Sequence, residues 1–275
     1  MPSKQEENKK SRVEITAQGR LLTVKAVGLD CEVTHGRGRG DVTVFSKQSR
    51  LRLLRLLAEI SPPAVKGFRH RVSFLTLTTQ AHHHPRQFKK YLQVFFKRMG
   101  RKAPRLSMIW RMEYQKRGAP HVHCIVYNAP YIDKLWIQEA WGEIVGQDRP
   151  FTRVESVRSY KHLVNYASKY AAKVESCGFN IVTYLTEGVG VAVYASKSAG
   201  RVWGVYNREC LPFAEKKTAK VPLDGSWWML RRYCCKFYPW VWENGEGGFT
   251  VFTDDPYHAL DHMVEMSKFF LNETF

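Results

Sequence analysis

The sequence predicts an α+β protein built on a central antiparallel sheet flanked by helices. Three observations point there. Short runs of β-branched and aromatic residues alternate with amphipathic stretches of helical period, giving a strand–helix–strand–strand–helix–strand–helix order. Two of the strand-like runs are separated only by a short polar turn, as in an antiparallel hairpin. The composition, 44% apolar and 25% charged over 275 residues, is that of a chain able to bury a sizeable core.

In chain order, residues 1–20 are polar and rich in lysine and glutamate, and are read as a flexible basic tail. Residues 21–66 form an N-terminal basic helical segment. Within it, 46–60 places Leu53, Leu56, Leu57 and Ile60 on one stripe and Lys47, Arg50, Arg52 and Arg55 on a basic side, before Pro62 and Pro63 stop the helix. A strand is expected over 71–79, then a loop at His82–His84, since three adjacent histidines cannot all point one way. A helix follows over 86–99, with Phe88, Leu92, Phe95 and Phe96 apolar and Gly100 as its stop. Strands at 106–114 and 120–127 flank the Gln115–Gly118 turn. A helix at 131–144 carries Trp136 and Trp141, a strand is expected at 151–156, and 158–174 reads as a helix capped by Ser159. Strands are expected at 181–194 and 201–207. Residues 213–275, aromatic and then acidic, are left as an extension of unknown role.

Forty-three Lys and Arg against 25 Asp and Glu leave a net charge of +18, which points to a polyanionic partner. No run of 18 apolar residues offers a transmembrane helix, and the first residues lack the apolar core of a secretory signal. The six cysteines form no CxxC pair and read as thiols of a reducing cytoplasm. There is no phosphate-binding GxxxxGK[ST] loop, so no ATP-driven motor is expected.

The chemistry concentrates in two places. On a strand, His121 and His123 project to one side and Val122 to the other. Glu113, eight residues earlier across the hairpin, can sit on the same face. Two imidazoles and a carboxylate suit a divalent cation with open positions. On the expected 158–174 helix, Tyr166 and Tyr170 share a face and each begins a Tyr-x-x-Lys, with Lys169 and Lys173. A tyrosine hydroxyl is a weak nucleophile unless activated, and a metal ion with a nearby lysine supplies activation for phosphodiester chemistry.

The tracts FLTLTT (74–79), WRMEYQKRGAPHVH (110–123) and YASKYAAK (166–173) resemble motifs I to III of the HUH endonucleases. They are most similar to those of rolling-circle replication initiators of single-stranded DNA phages and plasmids. The paired tyrosines resemble the two-tyrosine A-protein type. RGAPHVH and the later GRVWGVYNRECLP resemble initiators of small phages and bacterial plasmids, including the filamentous-phage gene II class. The resemblance covers residues 67–212. It implies an RRM-like endonuclease core and His121 and His123 as metal ligands, with Glu113 the third, or Gln115 if the strand register differs. Tyr170, assisted by Lys173, would be the main nucleophile. Tyr166 with Lys169 would be either a second nucleophile or structural. The cofactor would be Mg²⁺ or Mn²⁺, with the imidazoles better suited to Mn²⁺. The partners would be single-stranded origin DNA, with or without a hairpin, and a host helicase and DNA polymerase, in the host cytoplasm and off the membrane. DNA contacts are expected from Arg50, Arg55, Lys89, Lys90, Lys97, Arg98, Arg101, Lys102 and Arg111. The competing readings are an HUH transposase or relaxase with the same chemistry, and an inactive origin-binding protein.

Overall fold

A computed structural model describes residues 12–27, 45–61, 72–81, 83–115, 118–157, 184–186, 189–191, 201–222, 226–238, 241–244 and 248–272. The described residues form an α+β fold with two five-stranded antiparallel sheets and five α-helices. The chain divides into two compact units.

The first unit holds the middle of the chain. Its sheet comprises β3 (Val72–Thr78), β4 (Ser107–Tyr114), β5 (Pro120–Tyr127), β6 (Thr152–Ser156) and β9 (Trp203–Tyr206), in the order β6-β3-β5-β4-β9. Two further short strands, β7 (Tyr184–Thr186) and β8 (Val189–Val191), pair as a separate hairpin. Strand residues alternate strictly between the two faces, and each face has its own use. Trp110, Met112, Val122, Cys124, Leu75 and Leu77 share the face that takes the helices α2 (Pro85–Lys102) and α3 (Lys134–Val145).

Trp141 anchors that layer. Its ring meets Phe88 and Phe95 edge-on at 5.8 and 5.7 Å, and its indole N–H donates to the Thr78 carbonyl at 2.7 Å. The donor is thus satisfied while the ring is fully buried, and burying rings of this size contributes about 1.5–3 kcal/mol each. Phe96 packs on Trp110 and Tyr206. Trp110 thus serves packing, and its indole also lies against Gly204 on the neighbouring strand, where a methyl group would strike it.

Two local details differ from expectation. Gly100 does not end its helix: α2 runs on to Lys102, and Ala103 caps it by donating N–H to the Met99 carbonyl. The glycine is there for close approach, because a Cβ would collide with the Tyr206 hydroxyl. At the other end His84 is the N-cap, its Nδ1 accepting from the Arg86 N–H at 3.3 Å, and His83 packs edge-on against Tyr91. The described histidines of that triplet are therefore capping and packing residues.

The second unit corrects the reading of both chain ends. Arg12–Gln18, expected in a flexible tail, is strand β1, and Leu21–Val27, expected in a helical segment, is β2. The two join by a turn at Gly19, whose φ of +62° and contact with the Ala58 carbonyl leave no room for a side chain. From the C-terminal region, β10 (Lys216–Pro222), β11 (Val241–Asn244) and β12 (Gly248–Phe252) complete the sheet in the order β10-β1-β2-β12-β11. Val13, Ile15, Ala17, Leu22, Val24, Val221, Phe249 and Val251 make one apolar face. Leu230 and Cys234 of α4 (Ser226–Phe237) and Ala259, Leu260 and Met263 of α5 (Pro256–Asn272) close it. The aromatic and acidic extension is thus the other half of a core begun at the N-terminus. Helix α1 (Lys47–Ala58) divides between the units after Leu54.

Candidate metal centre

The face of the first sheet away from α2 and α3 carries Glu113 and Arg111 on β4, His121 and His123 on β5, and Thr76 on β3. The pairing is direct: Glu113 lies opposite His121, and His123 lies between Arg111 and Thr76. The hairpin sets this register. The Gln115 N–H donates to the Ala119 carbonyl, and the Gly118 N–H donates back to the Gln115 carbonyl, closing the turn. Gln115, the alternative third ligand, thus holds the turn through its backbone. The face Val122 takes is the opposite one, where it is fully buried.

Three ligand atoms converge. His121 Nε2 and His123 Nε2 are 2.9 Å apart, and Glu113 Oε2 is 3.7 and 3.8 Å from them. The circle through the three atoms has a radius of about 2.0 Å, which matches the ~2.0–2.2 Å bonds that imidazole nitrogens and carboxylate oxygens make to a divalent ion. Two neutral imidazole lone pairs at 2.9 Å repel unless a proton or cation lies between them. The donor set, two nitrogens and one oxygen, therefore fits a divalent metal. Among the described residues this is the group of three or more His, Cys, Asp and Glu side chains able to hold one.

Neighbouring residues fix each ligand. His123 Nδ1 and Thr76 Oγ1 are 3.1 Å apart, a hydrogen bond that fixes the ring plane; with Nε2 as a metal ligand, Nδ1–H would be its donor. Arg111 Nη1 lies 3.0 Å from Glu113 Oε1, leaving Oε2 for the histidine pair. The Arg111 guanidinium also stacks over the Phe45 ring at 4.6 Å. Trp203, opposite Arg111 on β9, donates its indole N–H to Ser49 Oγ at 2.7 Å. The start of α1 is thereby tied to this face. Thr76, Phe45 and Ser49 were not singled out in the sequence. Only the alternation Phe74-Leu-Thr-Leu-Thr78 hinted that Thr76 faces His123.

The remaining expected residues scatter. Arg111, expected among the DNA contacts, is buried, with 6% of its side chain exposed. Arg50 and Arg55 are half-buried on α1, and burial lowers the Arg55 guanidinium's affinity for its proton while Glu59 raises it. Lys90, Lys97, Arg101 and Lys102 are exposed on α2. Lys89 is half-buried there, and Arg98 pairs with Glu143 at 2.5 Å. Because α2 covers the Trp110 face, these residues lie behind the sheet from the histidines. Tyr166, Lys169, Tyr170 and Lys173 lie outside the described residues.

An antiparallel sheet displaying a Glu-His-His cluster on a hairpin defines a class of candidate metal-dependent proteins. Comparison with known proteins narrows it. Residues 72–175 match the family model of the replication-associated protein ORF2/G2P, a span holding the whole cluster. The replication-associated protein G2P of Pseudomonas phage Pf3 is 27% identical over 133 residues, 46% of this chain and 45% of the relative. The similarity thus spans less than half the length of that curated relative. Both similarities are to replication-associated proteins, one of them from a phage. A solved structure, the hypothetical protein ORF119 from Sulfolobus islandicus rod-shaped virus 1, aligns with 44% of this chain and 90% of its own at 16% identity. Its TM-score of 0.28 is too low to establish a common fold. Among the described residues, no helix is long and apolar enough to cross a membrane.

Proposed function

We propose that the chain initiates rolling-circle replication by nicking and rejoining single-stranded DNA at an origin, as an HUH-type endonuclease of the two-tyrosine kind. The observation that carries this reading is the convergence of Glu113 Oε2, His121 Nε2 and His123 Nε2 on one sheet face, inside the stretch matched by the replication-protein family.

Glu113, His121 and His123 would hold Mg²⁺ or Mn²⁺, which when bound would polarise a phosphate oxygen and stabilise charge in the transition state. Thr76 holds the His123 ring through Nδ1, which leaves Nε2 turned to the ion, and Arg111 holds the carboxylate. Tyr170 is the proposed nucleophile. Its phenolic oxygen forms a bond to phosphorus as the bond to the 3′ oxygen breaks, and the phenolic proton passes to that leaving oxygen through solvent or Lys173. One phosphodiester replaces another, so no ATP is consumed. The freed 3′-OH primes a host polymerase while a host helicase unwinds. Tyr166, with Lys169, performs the second transfer that closes the circle. The work is done in the host cell, on DNA and not at a membrane.

The test is incubation of labelled single-stranded DNA bearing the replicon's origin with the full chain and Mn²⁺ or EDTA, read on a denaturing gel. A metal-dependent adduct on the 5′ end of the downstream fragment is expected. It should be lost in Tyr170→Phe/Tyr166→Phe and in His121→Ala. Tight DNA binding without an adduct under any metal would instead mark an origin-binding protein.

A further inference from the structure

The densest basic cluster in the described residues lies on the wrong side of the sheet to serve the metal-capable cluster. Helix α2 contains no Asp or Glu. At about 100° per residue, Arg86, Lys90, Lys97 and Arg101 fall within a sector of about 60°, and Phe88, Leu92, Phe95 and Met99 centre about 180° away. The apolar side is buried and all four cations are exposed, as are Gln93 and Val94 between them. The stripe therefore points straight away from the sheet. From Arg86 to Arg101 it runs about 22 Å, at ~1.5 Å per residue. Of the two carboxylates on the adjoining helix, Glu139 and Glu143, Glu143 is engaged by Arg98, which lies off the stripe.

We propose that this outer face of α2 binds the backbone of duplex DNA, on the side of the sheet opposite the Glu113, His121 and His123 cluster. Charge complementarity carries the choice of partner: a straight row of cations without an intervening acid matches a row of phosphates. Its length is sufficient to reach phosphates on both sides of a major groove about 12 Å wide. Single-stranded DNA is served by ring platforms on which bases stack, and this stripe presents none. Tyr91, the nearest ring on the helix, is turned aside onto His83 at 5.4 Å. A protein that cuts a single strand on one face would thus hold the flanking duplex on the other. The inference rests on the proposed function only in taking the polyanion to be DNA.

The test is fluorescence anisotropy with the full chain, using a short duplex of arbitrary sequence and a short single strand, across a salt series. The variant Arg86→Gln/Lys90→Gln/Lys97→Gln/Arg101→Gln keeps good helix formers on an exposed face. A second variant, Lys25→Gln/Lys216→Gln/Lys217→Gln/Lys220→Gln, removes the same charge from exposed positions of the other unit. The α2 variant should bind the duplex at least tenfold more weakly, with the slope of log K against log salt reduced by about 2–4, at ~0.9 for each phosphate no longer neutralised. Its affinity for the single strand should stay within about threefold of wild type, and the other variant should lose little on either DNA. Equal losses in both variants would reduce the effect to net charge and overturn the proposal. So would an equal loss on single strand and duplex, or unchanged duplex binding with lost retention on poly-glutamate, which would favour an acidic protein partner. Neither readout involves cleavage, so failure to form a tyrosine adduct would leave this inference standing.

Discussion

Arg111 and Glu113 divide one carboxylate between two tasks. They stand two residues apart on β4, on one face, with Arg111 Nη1 3.0 Å from Oε1 and the histidine pair facing Oε2. Both side chains are almost fully buried, at 6% and 2% exposure, so each charge depends on the other. Truncating one partner of such a pair leaves an uncompensated buried charge.

Arg111→Met should therefore destabilise the protein by about 3–5 kcal/mol, read from urea unfolding. The double variant Arg111→Met/Glu113→Gln should recover much of that loss, because no lone charge remains. A double variant as unstable as the sum of the two singles would show that the pair is not coupled.

Mn²⁺ should stabilise the folded protein through the Glu113, His121 and His123 cluster. With free ion at 100 times Kd the gain is about 2.7 kcal/mol, visible as a raised Tm. His121→Ala and His123→Ala should abolish the rise. Thr76→Val should keep the ligands but weaken binding about 10-fold, the low end of what loss of an outer-sphere partner costs. A rise that persists in both histidine variants would place the ion elsewhere.

Native thiol labelling should discriminate among the cysteines. Burial pushes the Cys124 thiol far above its ordinary range and lifts Cys234 to about 12, with Cys235 nearby adding to the latter. A raised thiol pKa keeps the unreactive protonated form at neutral pH. Iodoacetamide at pH 8 should thus modify exposed Cys235 and half-buried Cys210 well before Cys124 and Cys234, as mapped by peptide mass spectrometry. Early modification of Cys124 would mean that β5 opens readily.

Gly100→Ala should destabilise α2 despite alanine's higher helix propensity. Its methyl would meet the Tyr206 hydroxyl, and the misfit costs about 1–3 kcal/mol against a propensity gain of about 1 kcal/mol. Tyr206→Phe should relieve most of the clash, so the same substitution should be markedly less harmful in that background. Equal effects in the two backgrounds, measured by thermal unfolding, would remove the close-packing explanation.

Much of the candidate site was legible because its pieces are local. Glu113 and His121 sit across a tight hairpin, so strand alternation alone brings their side chains to one face, and Val122 to the other. The strands around them show the same period-2 pattern, and the helix 85–102 its own 3.6-residue stripe. Gly100 misled because a helix-stopping residue and a close-packing residue look alike in a sequence. The chain ends were illegible for a different reason. Strand β1 finds its partner β10 with Arg12 opposite Pro222 and Gln18 opposite Lys216, a pairing no local pattern encodes.

The sequence by itself determined the α+β class, most of the described strands and helices of the first unit, and the Glu-His-His group, because backbone periodicity and turn chemistry act over a few residues; the expected helix 158–174 lies outside the described residues. Only the tertiary structure decided the rest. It made the N-terminal tail and the C-terminal extension halves of one sheet, buried Arg111 against Glu113, and set the basic stripe of α2 behind the histidines. Those outcomes depend on which apolar face each element buries and against what. That choice is made by packing between residues far apart in the chain.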